Sequence, residues 1–188
     1  MALDMKAAIA ESFNSLVRQR GIDKVTVKAV IEDCGISRQT FYYHFQDIMD
    51  VVEWCARQAV AHMVERSLAA ASPQEALAEL IRSTAENYTL LRKLMNSQRH
   101  EQIQRILGEA ARSYLEELAR RRPTAFRAEY GDADIALDFL TFGLVGILLK
   151  HCGEPGLDPD QLAEQIIRIL NSKLELFEEK WPARGCAH

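Results

Sequence analysis

Proline and glycine are scarce, at 5 and 9 of 188 residues, and long β-branched runs are absent. Strands favour β-branched residues, and the turns between short strands draw on glycine and proline. These shortages exclude a sheet-based fold. What fills the space is Ala, Leu, Glu, Arg and Gln, the good helix formers. An all-α protein is expected. Excess positive charge is lacking too: the formal net charge is -4. A chain that coats nucleic acid is strongly basic, so any surface for a polyanion must be local. No long uninterrupted apolar run occurs either. The most apolar stretch, "IALDFLTFGLVGILLKHC", is broken by Asp138 and is too short to span a bilayer comfortably. It reads as a buried core or interface helix. The opening "MALDMKAAIAESFNS" holds no apolar run of signal-peptide length. A cytoplasmic protein with no membrane partner is expected.

Cysteines are few and far apart. Cys34, Cys55, Cys152 and Cys186 form no Cys-x-x-Cys pair and are expected to be reduced. His151-Cys152 and the Cys186-Ala187-His188 end lack partners at ligand spacing, so neither metal nor cofactor is expected. A phosphate-cradling glycine loop, a nucleophile elbow and paired acids on a defined turn are all missing. That pattern argues against an enzyme.

Helical periodicity covers most of what remains. Ile9, Phe13, Leu16 and Val17 predict a first helix over 3–20, stopped by Gly21. Thr26 is an N-cap for a second helix over 27–34, with Val27, Val30 and Ile31 on one face. Gly35 ends it, and Ser37 caps a third helix over 38–45, with Phe41 and Phe45 one turn apart on its inner side. A fourth helix starts near Asp47 and carries Ile48, Val52, Cys55, Ala59 and His62 in a stripe, continuing to about Ala70. "SPQE" at 72–75 has the form of a capping box and starts a helix with Leu77, Leu80, Ile81, Thr84, Tyr88 and Leu91 on one face. Further helices are predicted over 101–121, 132–151 and from "DPDQ" at 158–161 to about Trp181, with a loop over 124–131 and a frayed tail over 183–188. The domain reading is therefore 1–46, 47–182 and that tail.

The stretch "VTVKAVIEDCGISRQTFYYHF", 25–45, concentrates unusual chemistry. Two short helices around a glycine-containing turn make a helix-turn-helix, whose second helix enters the DNA major groove. Arg38, Gln39 and Thr40 open that helix. Arg can grip guanine bidentately, Gln adenine, and a Thr methyl packs on thymine. Tyr42, Tyr43 and His44 follow, with groups suited to phosphate oxygens. Thr26 and Lys28 open the preceding helix, where backbone N–H groups favour phosphate. From Cys34 through Gln46 there is no Asp or Glu. A helix–glycine–helix with an aromatic pair also occurs in ordinary all-α cores.

The segment "TVKAVIEDCGISRQTFYYHFQD" resembles the signature of the TetR/AcrR family of bacterial regulators: a Thr-capped helix, an apolar core, Gly, an apolar residue, Ser, variable reading residues and then Tyr-Tyr-His-Phe. The resemblance covers about the first 50 residues. It implies a homodimer whose two trihelical heads bind a palindromic, double-stranded operator. It also implies C-terminal helices that supply the dimer interface and, in many members, an inducer cavity. Carried over by motif, the DNA contacts are Thr26, Lys28, Ser37, Arg38, Gln39, Thr40, Tyr42, Tyr43 and His44. Two frequent lysines of the family are replaced here by Gln46 and Ile48. "RQTFYYHFQDIMDVVEW" further resembles a subgroup that includes activators of dihydroxyacetone kinase operons, which respond to a protein co-regulator. A repressor released by a small-molecule effector is the main expectation; regulation through a protein co-regulator is the alternative.

In the C-terminal half, His62, Tyr88, His100 and Tyr114 are the candidate effector contacts, although a Tyr on an apolar stripe also packs in core with its hydroxyl at the edge. Met63 and Met95 read as gap-filling core. Two ridges are expected to pair copies of the chain: Leu137, Leu140, Leu144 and Leu148, and Ile166, Ile169, Leu170, Leu174 and Phe177. The alternative is that they form a core within one chain.

Overall fold

The computed structural model describes residues 4–121 and 133–171. The expected loop over 124–131, Leu174, Phe177 and the tail with Cys186 and His188 lie outside them. Among the described residues all regular structure is helical: α1 (Met5–Arg20), a 3-10 turn (Ile22–Lys24), α2 (Val27–Cys34), α3 (Arg38–His44), α4 (Ile48–Ala69), α5 (Pro73–Glu86), α6 (Tyr88–Met95), α7 (His100–Arg121), α8 (Ala133–His151) and α9 (Pro159–Asn171).

The ends are set by local chemistry. Asp4 accepts from the Lys6 N–H, Thr26 from Ala29, Ser37 from Thr40, and Asp47 from Met49 and Asp50. Each cap satisfies N–H groups that the first helical turn leaves without partners. Gly35 adopts the left-handed conformation that closes α2, at φ 65°. At α5 the box is shifted by one residue. Ser72 accepts from Glu75 as expected, but the Glu75 carboxylate takes the N–H of Ala71 rather than that of Ser72.

α1, α2 and α3 fold around Phe13, Val17, Val30, Phe41 and Phe45, all buried. Ser12 donates to Asp33 at 2.6 Å and the Cys34 thiol to the Ala8 carbonyl at 3.4 Å, tying α1 to α2. The core does not close at residue 46. It continues through Ile48, Val51 and Val52 on α4 and reaches Leu94, Ile103 and Ile106 on α6 and α7. Ile48 is 5% exposed and belongs to this core.

The expected single helix through Thr84, Tyr88 and Leu91 is divided at Asn87. The Asn87 side-chain amide donates to the Ser83 carbonyl at 3.0 Å, and its oxygen accepts from Arg18 on α1 at 2.8 Å. A side chain that bonds nearby backbone competes with the helical ladder, and the second bond holds it there.

The α4 stripe also differs from expectation. Its buried face is Ile48, Val51 and Val52 at one end and Met63, Val64 and Ser67 at the other, while Ala59 and His62 are exposed. α4 belongs to the head core at its start and to the body at its finish. Charged clamps fasten the body: Glu79 on α5 takes both Arg66 of α4 and Arg82, Arg82 reaches Asp160 on α9 at 3.3 Å, and Arg112 of α7 pairs with Asp134 and Asp138 on α8. Cys34, Cys55 and Cys152 are free thiols.

The leucine ridge of α8 faces inward. Leu148 is buried, and Leu137, Leu140 and Leu144 pack on core clusters of the same chain. The apolar side chains left outside are Ile135, Phe139 and Phe142 on α8 and Ile169 and Leu170 on α9. Spacing by three and four marks a helical face, but α8 is apolar around its circumference and spacing alone does not say which face turns inward. Among the described residues no helix is long and apolar enough to cross a membrane.

Candidate nucleic-acid interface

Burying Phe41 on one side of α3 turns the rest of that helix outward. Phe41 is fully buried, whereas Tyr42 is 47% and Tyr43 84% exposed. Arg38 and Gln39 are exposed on the first turn, with Thr40 half-buried beside them. Among the described residues α3 packs chiefly on α2 and α1.

The side chains order one another. The Arg38 guanidinium lies 5.5 Å from the Tyr42 ring centre, a cation–π distance that stiffens a long side chain. Tyr43 and His44 meet edge to face at 5.0 Å. The Ser37 hydroxyl caps Thr40 and lies 2.8 Å from the Thr40 hydroxyl. Both hydroxyls are therefore engaged within the turn, and the Thr40 methyl remains for apolar contact. Across the turn Thr26 is spent on its cap. Lys28, exposed, sits 3.7 Å from Glu32, an ion pair weak enough for a phosphate to displace. The surface thus brings a guanidinium, an amide, two phenols and an imidazole to one side of the head, with no carboxylate on the reading helix.

Behind the head lies a cavity of about 660 Å³ between α4, α5, α6, α7 and α8. It persists because small residues face it, Ala56 and Ala59 on α4 and Ala110 and Ala111 on α7. His62 and Tyr114 line it. The Tyr114 hydroxyl pairs with Ser67 at 2.8 Å, and burial raises its pKa. Cys55 also faces the cavity, its thiol pushed up to about 11 by burial, with Asn14 3.9 Å away. Tyr88 and His100 do not line it. The Tyr88 ring rests on Gly153, where a Cβ would collide with it, and its hydroxyl donates to the Leu149 carbonyl at 3.3 Å. His100 stands within bonding distance of the Ser97 carbonyl at the start of α7, 3.2 Å. The residues not foreseen are Phe13 and Asn14, which belong to the head yet form part of the cavity wall, and Asn87, which lines the cavity and grips α1. The one sequence signal for Asn87 is an asparagine inside a helical pattern.

Residues 14–53 match the family described as bacterial regulatory proteins, tetR family. Among curated proteins no sequence match is found. Solved structures resemble the chain along most of its length. The dihydroxyacetone kinase operon activator DhaS is 17% identical, with TM-score 0.68, covering 94% of this chain and 99% of its own. The fatty acid degradation regulator FadR from Bacillus halodurans is 16% identical, with TM-score 0.64, covering 93% and 98%. A TetR transcriptional regulator from Streptococcus agalactiae 2603V is 18% identical, with TM-score 0.63, covering 88% and 92%. Identities this low show the shared fold alone, and the family rests on the head. The head over residues 14–53 thus matches the tetR family of bacterial regulatory proteins, and the chain along most of its length shares the fold of these solved regulators.

Proposed function

We propose that the protein is a homodimeric repressor whose two heads bind a palindromic operator and whose cavity takes a small-molecule effector that releases it. Residues 1–46 form the DNA-binding unit, and 47–182 the effector and dimer unit. Arg38, Gln39 and Thr40 read base edges. Tyr42, Tyr43, His44 and Lys28 meet phosphates, and Thr26 and Ser37 shape the two helix starts that bring them there.

The observation that carries the regulatory part is the shared wall. Phe13 and Asn14 of α1 and Val52 of α4 face the cavity, and Asn87 binds Arg18 across the same boundary. A molecule that spreads this wall tilts the head. Two heads must present their reading helices about 34 Å apart to meet successive major grooves, so a small tilt suffices to lose the match. Only a ligand with different affinity for the two arrangements has this effect.

The exposed apolar face of α8, with Ile135, Phe139 and Phe142, supports pairing through this end. Gly143 and Gly146 have open space where a Cβ would stand, so they leave room for a second helix to approach. Two α8–α9 pairs around a two-fold axis form a four-helix bundle.

The test is a footprint on the DNA upstream of the protein's own gene, with and without an extract of small molecules. Two protected half-sites related by a dyad, lost on adding the extract, support the reading. Protection that only a protein fraction alters would replace the small molecule by a protein co-regulator. Absence of any protected site would reject operator binding.

A further inference from the structure

The cavity walls restrict what can enter. Among its polar lining groups most are already committed. Arg66 is held by Glu79, Thr84 donates to the Leu80 carbonyl at 2.8 Å, Tyr114 pairs with Ser67, and Asn87 uses both ends of its amide. Asn14 lies against the Cys55 sulfur, and that thiol stays protonated at neutral pH.

The remaining polar side chains are Gln58 and His62 on α4 and Ser83 and Glu86 on α5, which have no partner among the described residues. Gln58, His62 and Glu86 are exposed and Ser83 half-buried, so these four mark the open end. The closed end is buried and apolar, with Phe13, Val52, Leu94 and Ile103.

Resting on the reading that this cavity is the effector site, we infer that its ligand is an uncharged, apolar-bodied small molecule with one hydrogen-bonding end held at the α4/α5 mouth. An anion would find the one lining guanidinium already neutralised and Glu86 at the entrance. A cation would have Glu86 alone, an exposed carboxylate whose pairing is screened by water and too weak to repay dehydration of the head. An apolar body gains from every methylene it removes from water. The four unpaired mouth groups offer an alcohol, ketone or amide both donors and acceptors.

The test uses the full-length protein with three probes of one chain length: 1-decanol, decanoate and decylammonium, each below its aggregation concentration. Thermal shift and calorimetry report binding, and operator release is measured separately. The expected result is that 1-decanol binds at least about tenfold more tightly than either charged probe. Ala111→Leu and Ala59→Leu, which narrow the cavity from α7 and α4, are expected to abolish that preference. Operator binding without ligand and circular dichroism identify which variant remains folded, and one folded variant is sufficient. Tighter binding of either charged probe, failure of all three to bind, or an unchanged preference in a folded narrowed variant would overturn the assignment. Binding of 1-decanol without operator release would keep the ligand class and reject effector release. Release driven by a charged probe would do the opposite.

Discussion

Arg18, in the last turn of α1, donates from Nη2 to Oδ1 of Asn87 at 2.8 Å. Lys93 of α6 binds the Arg18 carbonyl as well, and the N–H of Gln98 lies 3.1 Å from an Asp23 carboxylate oxygen. The end of α1 and the 3-10 turn after it are thereby fastened to the segment around α6. Asn87 is at once cavity wall, helix breaker and anchor of the head.

Asn87→Ala removes both bonds of that amide. Hydrogen bonds of this kind contribute about 1 kcal/mol each, so a stability loss of about 1–2 kcal/mol is expected in urea unfolding. Faster amide exchange should be confined to the first turn of α6 and the last turn of α1. Uniform acceleration along the chain would show that the bond has no local coupling role.

Arg38→Ala and Gln39→Ala should each weaken specific operator binding by about 1–3 kcal/mol and relax base choice at one position per half-site. Tyr43→Phe removes a hydroxyl from the most exposed ring and should weaken all DNA alike. Competition binding against point-substituted duplexes separates the two behaviours. Three folded variants with wild-type binding would show that α3 does not read DNA.

Phe41→Ala should cost about 3–5 kcal/mol, because a fully buried ring is lost from the centre of the head. Tyr43→Ala should change stability by no more than about 0.5 kcal/mol, as expected for an exposed site. Denaturant midpoints measured on both variants check the contrast between neighbouring faces of one short helix.

Phe139→Glu and Phe142→Glu place charge on the exposed face of α8. If this face joins two copies, sedimentation should show a monomer at concentrations where the parent chain is a dimer, with unchanged circular dichroism. A dimer that survives both substitutions would move the interface elsewhere.

The thiols of Cys55 and Cys152 are pushed up from 9.0 to about 11 by burial. Between pH 9 and 11 the unfolded thiol has released its proton while the folded one still holds it. The unfolded state therefore binds fewer protons, and stability falls as pH rises through this window. Urea midpoints should drop from pH 9 to 11, and Cys55→Ala should remove part of that drop. A pH-independent midpoint would mean that the thiols are open to water.

The sequence by itself determined most helix positions and the chemistry of the head, though not the break at Asn87, which a bond from Arg18 holds. Thr26, Gly35, Ser37 and Asp47 are local devices whose hydrogen bonds and dihedral preferences act within a turn, so their effect is readable without knowing what packs where. The separation of Phe41 from Gln39 and Tyr43 follows from the helical repeat alone. Tertiary structure decided the rest. Whether Leu137, Leu140, Leu144 and Leu148 or Phe139 and Phe142 turn inward depends on α7 and α5 covering one side of α8. His62 and Tyr114 share a cavity with Asn14 and Asn87 because α4 to α8 leave a gap lined by alanines, while Tyr88 settles on Gly153. Those relationships join residues many tens of positions apart, and only long-range packing brings them together.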